Sequence, residues 1–151
     1  MSNTDLRDWY NKASAQQTGV RNLSPQQANE YLDLLRVPFD KQFKLLEANF
    51  GDGTFLEQAM KRVDCVGVSP RVEEHKAASQ RLGEAAGPGT LVQCALTEMR
   101  KYPAKFHYLF VIGHTPTKTE WQVIHILLHR DGQYCVVDAA GTVKTGVREK
   151  I

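Results

Sequence analysis

Apolar residues after position 40 fall into short runs that are separated by longer stretches of mixed polarity. The composition and length of these runs predict strands over residues 43–47, 63–68, 91–96, 109–112 and 134–137. Between the runs, apolar residues recur at intervals of three and four, which predicts helices over 54–62, 72–85 and 120–129. Asp131 and Gly132 predict a turn before the last of these strands. Because strands alternate with helices, the pattern indicates βαβ units and a parallel sheet.

The first 40 residues contain no strand-like run and predict an N-terminal helical arm. A helix over 5–14 would place four apolar residues on one face, namely Leu6, Trp9, Tyr10 and Ala13. A second helix is predicted to begin with Ser24 as its N-cap and Pro25 at its first position. We therefore divide the chain into an arm, 1–40, and an α/β domain, 41–151. Three roles stay open for the arm: packing against the sheet, forming a lid, or contributing to a dimer.

The composition mainly argues against several classes of function and site. Of the 151 residues, 42% are hydrophobic and 24% charged, and a net charge of +2 without a basic stripe argues against nucleic-acid binding. The longest apolar run, 123–128, is too short to span a membrane, and the N-terminus lacks the apolar core of a signal peptide. The three cysteines, Cys65, Cys94 and Cys135, lie far apart and form no metal-type pair. These features predict a cytoplasmic protein in a reducing setting.

Residues 47–56 contain the most informative pattern, a strand that ends in an acid and continues through a glycine turn into a helix. Such a turn presents backbone N–H groups and a helix N-terminus to a polar or anionic small molecule. The dinucleotide fingerprint G-x-G-x-x-G fails here, because counting from Gly51 and Gly53 puts Leu56 at the third glycine position. NADP chemistry, with Arg71 beyond the second strand facing a 2′-phosphate, is thus only a minor alternative.

The spacing Glu47-x-Asn49-x-Gly51-x-Gly53 resembles the first motif of class I S-adenosylmethionine-dependent methyltransferases. The resemblance covers residues 43–138 and continues through segments similar to the later strands and helices of that family, at 66–71, 76–78, 91–96, 106–113, 122–128 and 131–137. It implies a three-layer, Rossmann-like α/β fold with a parallel sheet of strand order 3-2-1-4-5, preceded by the helical arm. It also implies S-adenosylmethionine as a possible cofactor.

The same resemblance implies roles for individual residues. Glu47, Asn49, Gly51 and Gly53 would form the cofactor turn, and Asn49 suits it because Asn adopts left-handed backbone conformations more readily than most residues. The family's acids at the ends of later segments are replaced, however. Ser69 stands where an acid would hold the ribose hydroxyls, Cys94 or Ala95 where one lies near the adenine, and His107 where one begins the fourth segment.

His114 is the strongest candidate for a catalytic side chain, because it follows the fourth strand and the carboxyl ends of strands in open α/β sheets face the ligand crevice. A histidine there could act as a general base near neutral pH. The competing interpretation is a polar loop histidine that caps a turn. His125 and His129 are spaced for one helix face, but the Glu of H-E-x-x-H is missing between them, so no metal site is predicted.

The leading hypothesis is a small methyltransferase-like protein that binds S-adenosylmethionine and transfers its methyl group to an unidentified small molecule or macromolecule. The alternative is a catalytically inactive protein of the same fold that serves as a binding or assembly subunit. After the fifth strand, a short strand over 142–147 is the most that the remaining residues can form. Because an uncovered fifth strand would invite aggregation, we expect a homodimer, a partner subunit or the arm to cover its edge.

Overall fold

The computed structural model of the protein describes residues 23–149, so the helix predicted over 5–14 lies outside the described residues. The helices in this part of the chain are α1 (Pro25–Leu34), α2 (Thr54–Ala59), α3 (Val72–Leu82) and α4 (Lys118–Leu127), with short 3-10 helices at Gly83–Ala85 and Leu96–Lys101. The strands are β1 (Lys44–Ala48), β2 (Asp64–Val68), β3 (Leu91–Val92), β4 (Phe106–Ile112), β5 (Leu128–Val137) and β6 (Val143–Val147). Among the described helices, none is long and apolar enough to cross a membrane.

Within residues 23–149 the strands form one sheet in the order β3-β2-β1-β4-β5-β6. The first five strands run parallel, and β6 pairs antiparallel with β5. One face of the sheet buries apolar side chains of α1, α2 and α3, and the other buries those of α4. The predicted three-layer, Rossmann-like α/β fold and its order 3-2-1-4-5 are therefore confirmed, and β6 extends the sheet by one strand.

The largest difference from the predicted elements is at β5, which begins at Leu128 rather than at 134. Helix α4 already ends at Leu127, and the turn predicted at Asp131 and Gly132 lies inside the strand. There the register with β4 shifts, since Phe106 pairs with Leu128 whereas Tyr108 pairs with Gln133. The turn-forming residues are thus accommodated as an irregularity in a long strand, which sequence patterns rarely distinguish from a true turn.

Helix α1 begins as predicted. The Ser24 hydroxyl accepts a hydrogen bond from the Gln27 N–H at 3.1 Å, and the Gln27 side chain accepts one from the Ser24 N–H at 3.2 Å. The helix packs against α2 and the turn that follows it: the Asn29 amide donates to Gln58 of α2 at 3.1 Å and accepts from Arg62, beyond the end of α2, at 3.1 Å. This part of the predicted arm therefore shares the core of the α/β domain.

The sheet edge at β5 is covered by the chain itself. Asp138 closes the turn between β5 and β6, because its carboxylate accepts hydrogen bonds from the N–H groups of Ala140 and Thr142, both at 2.9 Å. The expectation that a partner or the arm must cover the fifth strand is corrected accordingly, since β6 pairs with it along Gln133 to Val137. A homodimer stays a prediction.

His107 and His129 stack at the amino-terminal edge of the sheet, with ring centroids 5.1 Å apart. The Nδ1 atom of His107 accepts a hydrogen bond from the Lys44 N–H at 3.0 Å, which requires an unprotonated nitrogen. Burial, and then the neighbouring His129 and Lys44, lower the pKa of His107. The folded state therefore favours the neutral imidazole.

This arrangement predicts an acid-sensitive contribution to stability. A lowered pKa in the folded state means that the contribution is complete above the ordinary histidine pKa of about 6.5 and is lost as the pH falls below it. Urea unfolding between about pH 7.5 and pH 5 should show a steeper loss of stability for the wild type than for His107→Asn, whose amide oxygen can accept from Lys44 without titrating. If the stability of the two proteins fell equally with pH, His107 would not be the source of the acid sensitivity.

Candidate functional site

The turn after β1 has the backbone conformation that its sequence predicted. Asn49, Gly51 and Gly53 all have positive φ, at 55°, 59° and 86°. The Asp52 carboxylate accepts hydrogen bonds from the Thr54 N–H at 3.0 Å and the Thr54 hydroxyl at 2.8 Å, which fixes the start of α2. The expectation that Asn49 tolerates a left-handed conformation is confirmed.

Gly53 has a packing role that the sequence did not reveal. A Cβ atom at this position would lie 3.0 Å from both the Cα and the Cβ of Ala78 in α3. Such separations are tighter than carbon atoms normally tolerate, so only glycine allows α3 to approach the turn this closely. The last glycine of the motif therefore positions a helix.

Glu74, in the first turn of α3, is a site residue that sequence reasoning missed. Its side chain is almost fully buried, and its Oε1 accepts a hydrogen bond from the Gly51 N–H at 2.8 Å. Its Oε2 lies 3.3 Å from a guanidinium nitrogen of Arg71. A backbone N–H that the glycine turn could present to an anion is thus bound by a carboxylate of the chain itself.

Ser69 and Cys94 contribute to structure at the ends of β2 and β3. Ser69 is fully buried, and its hydroxyl accepts a hydrogen bond from the Arg71 N–H at 3.2 Å. Its own N–H donates to the Val92 carbonyl at 3.1 Å, so it joins β2 to β3 and sets the start of α3. Cys94 is half-buried, and burial together with the nearby Glu98 raises the pKa of its thiol. Neither residue lines the cavity described next.

A cavity of about 260 Å³ lies where β1, β2 and β4 end. It is lined by residues that follow those strands or face them from α3, namely Asn49, Pro70, Arg71, Glu74, Ile112, Gly113 and His114. Of the residues predicted from sequence, the fold brings Asn49 and His114 together here. Glu47 is fully buried at the end of β1, and Gly51 reaches the cavity only through its hydrogen bond to Glu74.

His114 faces the first turn of α4. Its Nε2 lies 3.1 Å and 3.2 Å from the two carboxylate oxygens of Glu120. Glu120 also belongs to a capping box, because its carboxylate accepts from the Thr117 N–H at 3.0 Å while the Thr117 hydroxyl accepts from the Glu120 N–H at 3.1 Å. The histidine is therefore held by a carboxylate that the helix cap itself fixes in place.

The electrostatics of this pair favour a charged carboxylate. Burial acts to raise the pKa of Glu120, but the hydrogen bonds from Thr117 and His114 outweigh it and hold that pKa below its ordinary value. At neutral pH Glu120 is therefore ionised beside the imidazole. A carboxylate in this position orients the ring and stabilises the imidazolium that forms when the ring accepts a proton.

Of the two missed residues, Glu120 and Glu74, only Glu120 carries a readable signal. Thr117-x-x-Glu120 is a capping-box pattern, which predicts that Glu120 folds back onto the start of its helix beside His114. Glu74 falls in the first turn of the predicted second helix, where acids are favoured, but nothing in the local pattern indicates that it turns towards Gly51.

The histidines that the sequence placed on one helix face separate in the fold. His125 lies in α4 against the rings of Trp121 and Tyr134, whereas His129 lies in β5 against His107. Across residues 23–149, no group of three or more His, Cys, Asp and Glu side chains is arranged to hold a metal ion.

No family model and no curated protein matches the sequence. Solved structures do match the fold. DesVI of Streptomyces venezuelae is 21% identical with a TM-score of 0.61 over 91% of this chain and 58% of that one. Phosphoethanolamine N-methyltransferase 2 of Haemonchus contortus, solved with S-adenosylhomocysteine, is 21% identical with a TM-score of 0.59. The match covers 72% of this chain and 27% of that one. Geranyl diphosphate C-methyltransferase of Streptomyces coelicolor, also solved with S-adenosylhomocysteine, is 16% identical with a TM-score of 0.62. The match covers 74% of this chain and 42% of that one.

The chain has the fold of the class I S-adenosylmethionine-dependent methyltransferases. In this methyltransferase fold the candidate cavity lies at the carboxyl ends of the central strands, next to the glycine turn. The chain covers at most 58% of the length of these three proteins, and their identities of 21% or less show a common fold rather than a common activity.

Proposed function

We propose that the protein binds S-adenosylmethionine in the cavity beside the glycine turn and transfers the methyl group to an acceptor that carries a dissociable proton. The observation that carries this proposal is the convergence of Asn49, Glu74 and His114 at three strand ends of a methyltransferase fold. We also propose a cytoplasmic location, which the free cysteines at 65, 94 and 135 support.

The polar groups of the cavity suit a ligand that carries both charges. Glu74 supplies a carboxylate and Arg71 a guanidinium, 3.3 Å apart at the cavity wall. An ammonium or hydroxyl group of the cofactor would donate to Glu74, and its carboxylate would accept from Arg71. The volume of about 260 Å³ is just below the roughly 300–1,000 Å³ of sites that enclose a drug-sized ligand, so we assign it to one end of the cofactor.

The bound cofactor would supply a methyl group on a positively charged sulfur, which an acceptor lone pair can attack. His114 takes the proton that the acceptor loses, and the adjacent Glu120 carboxylate stabilises the resulting imidazolium. The residues therefore favour a hydroxyl, phenol or amine acceptor over a thioether, which has no proton to lose. Positioning of the acceptor contributes the rest of the rate enhancement.

Cofactor binding is the first test of the proposed function, and substitutions of Glu74 test the assignment of the cavity. Calorimetric titration of the wild type with S-adenosylmethionine and S-adenosylhomocysteine should give saturable binding. Glu74→Ala should weaken it about 10- to 100-fold, because a hydrogen bond to a charged group contributes roughly 1.5–3 kcal/mol. Glu74→Gln, which keeps an acceptor for the Gly51 N–H, should bind with intermediate affinity.

Glu73→Ala is the matched control, because it removes the same charge from an exposed position one residue earlier in α3. It should bind both ligands like the wild type. Absence of heat with the wild type at millimolar ligand would overturn the cofactor assignment and leave the alternative of an inactive assembly subunit. Tighter binding by Glu74→Ala would show that Glu74 competes with the ligand for the turn.

A further inference from the structure

The outer edge of β6 exposes backbone groups in a regular pattern. Asp138 N–H donates to the Thr142 carbonyl at 3.0 Å, and Arg148 N–H donates to the Gly132 carbonyl at 2.9 Å. Thr142 and Arg148 are therefore hydrogen-bonded positions against β5, and in an antiparallel ladder such positions alternate with outward-facing ones. The N–H and C=O groups of the intervening odd-numbered residues, Val143, Thr145 and Val147, accordingly point away from β5.

The side chains of these same three residues are all β-branched and lie on one face of the sheet. Val143 is 44% exposed and Val147 is 62% exposed. Two common protections of an edge strand are missing within β6, which contains no proline and has an unbroken register with β5. Its one lysine, Lys144, lies on the opposite face, with its ammonium 4.8 Å from the centre of the Trp121 ring.

We propose that two copies of the protein associate through β6, pairing antiparallel about a two-fold axis at Thr145. In this register Val143 lies opposite Val147 of the second copy, Thr145 lies opposite itself, and Lys144 lies opposite Gly146. Pairs of β-branched residues and of threonines are favourable across strands. The three outward-facing residues of each copy would form about six new backbone hydrogen bonds and join the two sheets into one.

Charge selects this register over its neighbours. A two-fold axis at Lys144 would place this lysine opposite Lys144 of the second copy. An axis at Gly146 would place it opposite Arg148 of the second copy. Both alternatives juxtapose like charges, which is unfavourable across strands. The register at Thr145 avoids them and uses the full length of β6. A second copy of this chain therefore fits the edge by its own sequence.

The interface is independent of the proposed catalytic site. The cavity lies at the ends of β1, β2 and β4, whereas β6 is separated from β4 by β5. Pairing at β6 would thus leave the cavity open, and a failure to bind S-adenosylmethionine would not bear on the dimer.

Light scattering after size exclusion tests the proposal directly. The wild type should have twice the chain mass of 17.0 kDa at about 100 μM and dissociate on dilution. Thr145→Pro removes an outward N–H while leaving the ladder with β5 intact, and Val143→Lys places charge opposite Val147 of the second copy. Both variants should be monomers at about 100 μM and should melt at the temperature of the diluted, dissociated wild type. Val72→Lys alters a similarly exposed valine on α3 and should stay dimeric.

Amide hydrogen exchange gives a second measurement that does not depend on the variants. In the dimer, the amides of Val143, Thr145 and Val147 should be protected at high concentration and exchange rapidly on dilution. Those of Lys144 and Gly146, bonded to β5, should be protected at both concentrations. A wild-type protein of 17.0 kDa at about 100 μM, or rapid exchange at Thr145 there, would overturn the proposal.

Discussion

Replacing His114 with alanine is expected to slow methyl transfer about 10²- to 10⁴-fold while changing the affinity for S-adenosylmethionine little. The reason is the arrangement at the end of β4, where the imidazole lines the cavity and its Nε2 is held 3.1 Å from Glu120. Without it, the acceptor must lose its proton to water. Transfer from radiolabelled cofactor to a panel of phenols, alcohols and amines measures the loss.

The ionisation of the acceptor separates a catalytic base from a structural residue. A phenol that is already ionised at the assay pH needs no base, so His114→Ala should recover most of its activity with such an acceptor. Glu120→Gln should lose less activity than His114→Ala, because it removes a positioning group and leaves the base. His129 is an exposed histidine at the opposite edge of the sheet, so His129→Ala should keep the wild-type methyl-transfer activity. Equal losses with ionised and protonated phenols would contradict the role of base.

Alanine at Gly53 is expected to lower the free energy of unfolding by about 2–5 kcal/mol. Two costs combine at this position. The φ angle of 86° is left-handed, which costs an L-residue about 1–2 kcal/mol. The new Cβ would also lie 3.0 Å from the backbone and side chain of Ala78, so α3 must shift. Since domains are usually stable by only about 5–15 kcal/mol, urea unfolding should detect the change easily.

Gly89→Ala isolates the backbone cost. Gly89 has a φ of 83°, close to that of Gly53, but no heavy atom lies within 4 Å of the position its Cβ would occupy. It should lose only about 1–2 kcal/mol. Because a shift of α3 would also withdraw Glu74 from Gly51, Gly53→Ala should weaken cofactor binding, whereas Gly89→Ala should not. Equal effects of the two substitutions on stability would show that packing against Ala78 is unimportant.

The sequence predicted the fold because its signals are local and repeated. Each βαβ unit combines an apolar run, a turn and an amphipathic helix, and the ordered set resembles one family closely enough to predict the strand order. The weaker predictions concerned β5, where Asp131 and Gly132 form part of a strand, and the sheet edge, which β6 covers. Both outcomes depend on how β5 pairs with its neighbours β4 and β6, which the pattern of a single segment does not record.

At the glycine turn, too, the sequence predicted the local conformation but not the tertiary contacts. The sequence alone determined its position after β1 and its left-handed residues, since φ at Asn49 and Gly53 follows from the residue types and their spacing. Only the tertiary structure decided what surrounds it: Ala78 packs against Gly53, and the carboxylate of Glu74 binds the Gly51 N–H. The physical reason is that backbone conformation is a local property, whereas the approach of α3 is fixed by burial of the whole core.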